Sequence, residues 1–348
     1  MVAMLKKQAR RIVLKILLLS GVLGVLPIHA DGIDISPMIV NGENANAEDY
    51  PSYVGLFIDS YEYNGQYSSG AYCGGTLLDS DYVLTAAHCI EGDLAAGLFT
   101  TVIPMLENES NFLNTDRRRV VEVYIHPNFS NNITKLLPND VAVLKLETST
   151  SSGEGSKLAS TESYRLSNNT YTAVGHGNIS SGVGGTSILQ RVNLTLVDNI
   201  SCKNNFNNGS NLTDKQVCFT GPLIDKLKAG TCQGDSGGPI YWNDAGVQTQ
   251  VGITSFGPSI CGDKYSAVTA VYTEVSDYIS WINRVRDGSE LESRRYVSDD
   301  LSRRNYIEKY GKVVYTGGTF ASGGGSGGGT TSLLCIVLLV GGILIRKQ

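Results

Sequence analysis

The chain reads as an all-β protein, a barrel or a sandwich, and three observations lead there. From Ile39 to about Val275, short apolar runs alternate with stretches of Gly, Asn, Asp and Ser. Tyr82-Val83-Leu84, Val120 to Ile125, Val141 to Leu146, Val251 to Ile253 and Val271-Tyr272-Thr273 are examples, and many short strands separated by turn signals give this pattern. Glycine accounts for 40 of 348 residues, which suits a turn-rich fold. Apolar residues at 41% are ample for a buried core in a chain of one or two domains.

The elements follow in order. Lys6, Lys7, Arg10, Arg11 and Lys15 form a basic start, and a mostly apolar run from Ile16 to Ile28 ends at Ile28-His29-Ala30. That is a signal-peptide pattern, with cleavage expected after Ala30. The run is short for a bilayer span, which needs about 20 residues. The strand-rich body follows and closes on Asp277 to Arg286, apolar at helical spacing through Tyr278, Ile279 and Ile282. Residues 287 to 331 read as a linker in two parts: 287 to 320, polar and charged (Arg294-Arg295, Arg303-Arg304), is a linker or small appendage, and Ala321 to Thr331 is Gly/Ser/Thr-rich, a composition expected to be flexible. Residues 332 to 348 hold an apolar run, Leu333 to Ile345, closed by Arg346-Lys347-Gln348.

The net charge of −5 gives no basic footprint, so nucleic acid is not an expected partner. Six of the seven cysteines fall in the body: Cys73, Cys89, Cys202, Cys218, Cys232 and Cys261. They suit an exported protein, and sequence alone leaves about 15 pairings for six cysteines. Cys335 stands alone in the apolar tail. No His or Cys spacing suggests a metal site, and no cofactor is expected.

Three short motifs carry chemistry. Gly234-Asp235-Ser236-Gly237-Gly238-Pro239 presents a serine on a glycine-rich turn; Thr85-Ala86-Ala87-His88-Cys89 presents a histidine; Asn139-Asp140-Val141-Ala142-Val143-Leu144 opens an apolar strand with an acid. A serine hydroxyl is a weak nucleophile that needs a base to take its proton and a third group to orient that base. His88, Asp140 and Ser236 supply those roles. On these motifs the chain, over roughly residues 39 to 286, resembles the chymotrypsin/trypsin family of serine endopeptidases.

The resemblance implies two six-stranded antiparallel β-barrels, an active site in the cleft between them, and a closing C-terminal helix. It implies the disulfides Cys73–Cys89, Cys202–Cys218 and Cys232–Cys261, and an oxyanion hole from the N–H groups of Gly234 and Ser236. Ile39-Val40-Asn41-Gly42 resembles the start of a mature family member, so residues 31 to 38 are expected to be a propeptide. The freed amine of Ile39 would then pair with Asp235. By the same alignment Gly230 sits at the base of the specificity pocket and Ala270 on its wall, with Ser255-Phe256-Gly257 pairing with substrate backbone. An uncharged slot favours cleavage after Leu, Met, Phe or Tyr, and Met38 itself fits that preference. His126 matches a surface-loop pattern, and His176 stands where the family has a tryptophan. Expected partners are protein and peptide substrates, acted on by a monomer. The rival reading is a surface binding module on an inactive protease scaffold, which the complete triad opposes.

The tail is similar to the bacterial GlyGly-CTERM sorting signal. That resemblance implies a rhomboid-like processing protease, type II secretion machinery, and membrane contact through the tail, with an exported or cell-surface product. A GPI signal and a plain membrane anchor are the other readings. Asn-x-Ser/Thr sequons at Asn108, Asn128, Asn132, Asn168, Asn178, Asn193, Asn199, Asn208 and Asn211 read as an Asn-rich surface if the tail is bacterial, and as glycosylation acceptors otherwise.

Overall fold

The computed structural model describes residues 39–165, 169–185, 187–313, 315 and 320–322. The expected signal peptide, propeptide and apolar tail lie outside these residues, as does Asn168.

Two sheets each close on themselves. In the first, β1 (Tyr53–Ser60), β2 (Cys73–Leu77), β3 (Tyr82–Thr85), β4 (Thr100–Pro104), β5 (Arg118–Ile125) and β6 (Ala142–Leu146) pair in the ring order β1-β4-β5-β6-β3-β2. In the second, β7 (Tyr171–Gly175), β8 (Gln190–Val197), β9 (Gln216–Thr220), β10 (Pro239–Asp244), β11 (Val247–Phe256) and β12 (Ala270–Glu274) follow the same order, β7-β10-β11-β12-β9-β8. Every neighbouring pair in both rings is antiparallel. The expected pair of six-stranded barrels is therefore present.

Side chains alternate across each strand with period two. On β1, Val54, Leu56 and Ile58 join Val83, Leu84, Val102, Val143 and Leu144 in the first core, while Phe57 turns the other way onto Phe112. The second barrel is filled by Tyr171, Leu194, Val217, Phe219, Ile240, Val251 and Tyr272, and Ile39 is buried with them. The barrels meet where Gly74 of β2 lies against Gly238. A Cβ on Gly74 would stand 2.9 Å from Gly238 Cα, so only glycine allows this approach.

Helix α2 (Ile279–Arg286) buries Trp281, Ile282 and Val285 against the first core; α1 is the short helix Leu94–Phe99. Beyond α2, of the two readings of residues 287 to 320, the structure shows an ordered small appendage rather than a linker. β13 (Arg294–Val297) pairs antiparallel with β5, and Arg295 pairs with Glu122 at 2.6 Å while Arg294 pairs with Glu91. Helix α3 (Asp300–Tyr310) starts on Asp299, whose carboxylate accepts from Ser302 N, and ends at Gly311 in the left-handed region, both common terminal signals. Its Arg303 is 1% exposed and donates to Leu98 O (2.8 Å), Val120 O (2.9 Å) and Ser298 Oγ (3.0 Å). Tyr306 packs on Phe99 with ring centroids 5.3 Å apart. Composition hid this because backbone pairing and ion pairs, rather than an apolar stripe, hold the segment. Among the described residues no helix is long and apolar enough to cross a membrane.

Arg303→Ala would leave the Leu98 carbonyl without this donor, while Val120 O keeps Ser298 Oγ at 2.8 Å. Its stability should fall by about 2 kcal/mol, read from the urea midpoint, since one such orphaned group costs about 1–3 kcal/mol.

Candidate active site

The end of β3 leads into a single 3-10 turn, Ala87–Cys89, that carries His88. The Cys73–Cys89 disulfide ties this turn to the start of β2. Asp140 stands just before β6 and is fully buried. Its carboxylate accepts from His88 N (2.9 Å), from the His88 ring at Nδ1 (2.7 Å) and from Ser255 Oγ (2.5 Å). Thr273 Oγ1 donates to the Asp140 carbonyl at 2.8 Å. An ionised carboxylate only accepts, so Nδ1 carries the proton and Nε2 is left with its lone pair. Burial depresses the His88 pKa, but the Asp140 charge and hydrogen bond outweigh it, and the imidazole ends above its ordinary value.

The serine loop is pinned on both sides. Gly74 N donates to Ser236 O at 2.8 Å. The amides of Asp235, Gly237 and Gly238 go to Cys232 O, Thr254 O and Asp235 O. Gly234 holds φ +100 with Gly177 close by, a conformation that side chains resist. Asp235 is buried and accepts from Gly177 N (2.8 Å) and Cys232 N (2.9 Å). Burial pushes its pKa up to about 7, against the pull of those two amides. Val40 bridges to Gly230 and packs on Cys232 and Cys261, so residues 39 and 40 are built into the base of this loop.

Ser236 borders a cavity of about 250 Å³ lined by Thr231, Cys232, Gln233, Thr254 to Ser259, Cys261, Thr269 and Ala270. No lining side chain is charged. The Cys232–Cys261 disulfide spans the cavity wall. Gly230 is not among these lining residues; its N–H is given to Val40 O at 3.1 Å, and a Cβ there would come 2.6 Å from Thr269 Cβ. The neighbouring Thr231 and Thr269, which no sequence motif marks, do line the cavity. Thr231 Oγ1 lies 3.2 Å from Tyr272 Oη. Ser255, Phe256, Gly257 and Ala270 do line the cavity. Between Thr254 and Phe256 the β11–β12 register shifts by a bulge. From the sequence Ser255 is expected to act through its backbone; its hydroxyl bond to Asp140 follows from no local pattern.

The third disulfide, Cys202–Cys218, lies away from the cleft under β9. His176 is buried, with Nδ1 3.1 Å from Tyr53 Oη, and burial lowers its pKa to about 4. His126 packs edge-on against Tyr278 and Trp281, and burial lowers it to about 4 as well. Cys73, His88 and Cys89 cluster closely enough to suggest metal ligands, but their two sulfurs are bonded to each other.

A family model described as Trypsin matches residues 39–282. The chain belongs to the trypsin family. By that membership it is a serine endopeptidase, a hydrolase. It is 33% identical to "Trypsin Blo t 3" of Blomia tropicalis over 250 residues, 70% of this chain and 84% of that one. It is 32% identical to "Chymotrypsin-like elastase family member 1" of Canis lupus familiaris (71% and 92% covered) and 31% identical to "Trypsin" of Sus scrofa (72% and 96%). A solved structure, "neuropsin, a serine protease expressed in the limbic system of mouse brain", superposes with a TM-score of 0.58 at 24% identity, covering 72% of this chain and all of that one.

The raised His88 pKa fixes a pH profile. The free enzyme should lose kcat/KM as pH falls through a value above the ordinary histidine value of about 6.5. Asp140→Asn removes the charge that raises it and should lower kcat by about 10⁴-fold; Ser255→Ala, which keeps that charge, should lose far less.

Proposed function

We propose that this chain is an exported endopeptidase that cuts after apolar residues, made as a zymogen and opened between Met38 and Ile39. The observation that carries this reading is the meeting of the His88–Asp140–Ser255 network with an uncharged cavity bordered by Ser236. Bound substrate would place its side chain in that cavity, with its backbone along Ser255 to Gly257 as an added strand. Ser236 Oγ attacks the carbonyl carbon while His88 Nε2 takes the hydroxyl proton. The oxygen's developing charge is met by the N–H groups of Gly234 and Ser236, each such donor worth about 3 kcal/mol in the transition state. The C–N bond then breaks as His88 returns the proton to the leaving amine. Water, deprotonated by the same base, releases the acid.

Two further features support the zymogen part. Asp235 is a buried carboxylate with two amide donors, and an unpaired buried charge costs several kcal/mol. Ile39 is buried next to the segment that reaches Gly230, so an amine freed there would supply the missing cation. The basic-then-apolar start and three disulfides support export. The Gly-rich tail supports handling by a rhomboid-like protease and type II secretion, with transient or lasting membrane contact.

Enzyme starting at Ile39, given a diverse peptide library and read by mass spectrometry, should cut after Leu, Met, Phe or Tyr, with Ser236→Ala inert. Cuts after Lys or Arg would overturn the pocket reading and leave the protease. In the uncleaved chain, Asp235 has a folded pKa of about 7 against about 4 unfolded. Its contribution to stability is therefore full below pH about 4 and lost as pH rises toward 7. Uncleaved Ser236→Ala protein should accordingly lose Tm between pH 5 and 8 relative to the same protein carrying Asp235→Asn. Glu109, pushed by burial to about 8, is common to both and cancels.

A further inference from the structure

A cavity that selects large apolar side chains must keep its width, yet one of its walls is an exposed loop. Gly257, Ser259 and Ile260 face solvent, while Gly257, Ser259 and Cys261 line the cavity. Gln233, from the serine loop, lines the same cavity. Its side-chain Oε1 rests 2.9 Å from Cys232 Sγ and 3.4 Å from Cys261 Sγ. The Cys232–Cys261 disulfide joins the serine loop to this wall, with Cα atoms 5.5 Å apart. A single covalent link still lets a loop pivot about it.

A small hairpin supplies a second link. Asn178–Ser180 pairs antiparallel with Val183–Gly185, so Ser181 and Gly182 form its turn. Gly182 holds φ +75, a left-handed conformation that tight turns use and glycine allows. The root of the hairpin is held by the serine loop. Gly177 N donates to Asp235 Oδ1 at 2.8 Å and Asn178 N to Gln233 O at 2.7 Å. A Cβ on Gly185 would come 2.4 Å from His176 O, so the strands close tightly at that end. The tip reaches the exposed wall. Cys261 N donates to Ser181 Oγ at 2.8 Å, and Ser181 Oγ donates to Ser259 O at 3.4 Å. One hydroxyl accepts from one wall residue and donates to another, which its chemistry permits. Both bonds go to wall backbone, so the role is positioning rather than chemistry.

We infer that Ser181 is a positioning residue for specificity: by tying the Ser259–Cys261 wall to a hairpin rooted on the serine loop, it holds the cavity at the width that a large apolar side chain fills. The inference rests on the endopeptidase reading and its apolar preference. Without the tie, a bulky side chain must order the wall as it binds, which costs affinity. A small side chain that touches little of the wall escapes that cost.

Ser181 is exposed at a turn, so its variants should fold. Peptide anilides that differ only in the residue at the cut, Phe or Ala, read the cavity. A dialkyl fluorophosphate, which reacts with Ser236 without filling the cavity, reads the triad. Ser181→Ala should raise KM on the Phe anilide about fivefold, the scale of one hydrogen bond, with kcat within about twofold. The Ala anilide and the fluorophosphate rate should both stay within about twofold of wild type. Ser181→Thr, which keeps the hydroxyl, should restore most of the Phe preference. Equal losses on both anilides with a slower fluorophosphate reaction would mean that the hairpin supports the serine loop as a whole. No change would mean that the wall keeps its own width, and a threonine variant as weak as alanine would mean that the hydroxyl is not the tie. Each of these overturns the inference. Wild-type protein that reacts with the fluorophosphate but leaves the Phe anilide intact would refute the apolar preference, and wild-type protein inert toward both would refute the endopeptidase reading; this inference falls with either.

Discussion

A carboxylate buried from water must be met by donors, and here that constraint joins the two halves of the molecule. Asp140 belongs to the first barrel, at the mouth of β6. Of its partners, His88 comes from the same barrel, while Ser255 and Thr273 come from β11 and β12 of the second. With the barrels packed, loss of the Ser255 donor would leave a buried charge short of a hydroxyl, which is unfavourable. The same bonds orient the imidazole, so the requirement that keeps the barrels together also sets the direction of the His88 ring. The close approach of Gly74 and Gly238 completes the seam by letting the backbone of β2 reach the serine loop.

The shared strand order of the two rings gives the site a simple origin in topology. Each barrel contributes loops to one cleft, and neither contributes a complete set. The histidine turn and the acid come from the first, and the serine loop and the cavity come from the second. The disulfides Cys73–Cys89 and Cys232–Cys261 lie on opposite flanks of that cleft, bracing the histidine turn and the cavity wall.

Much of this was legible in the sequence, because short motifs encode local geometry. A serine among glycines, a histidine beside a cysteine and an acid opening an apolar strand each specify a turn and a side chain. What stayed hidden depends on distant partners. Ser255 reads as one more strand residue until Asp140 is placed above it. Gly230 reads as the pocket base until Val40 and Thr269 are seen to enclose it. The charged stretch after α2 reads as a linker or small appendage, since Arg303 carries no sign that its guanidinium will be buried on carbonyls of α1 and β5.

The bulge in β11 has a consequence for how a closed ring can hold a guest. A closed sheet has no vacant edge, because every strand already has two neighbours. By slipping register between Thr254 and Phe256, where Phe256 again pairs with Val271, β11 keeps β12 as its neighbour while running on past Ile253, its last residue paired with β10. A bulge of this kind leaves the extra residue out of the ladder. The ring keeps its closure and still leaves one strand's width on that edge, where, on the proposed reading, an incoming peptide would become for the lifetime of the complex a seventh strand beside a six-stranded wall.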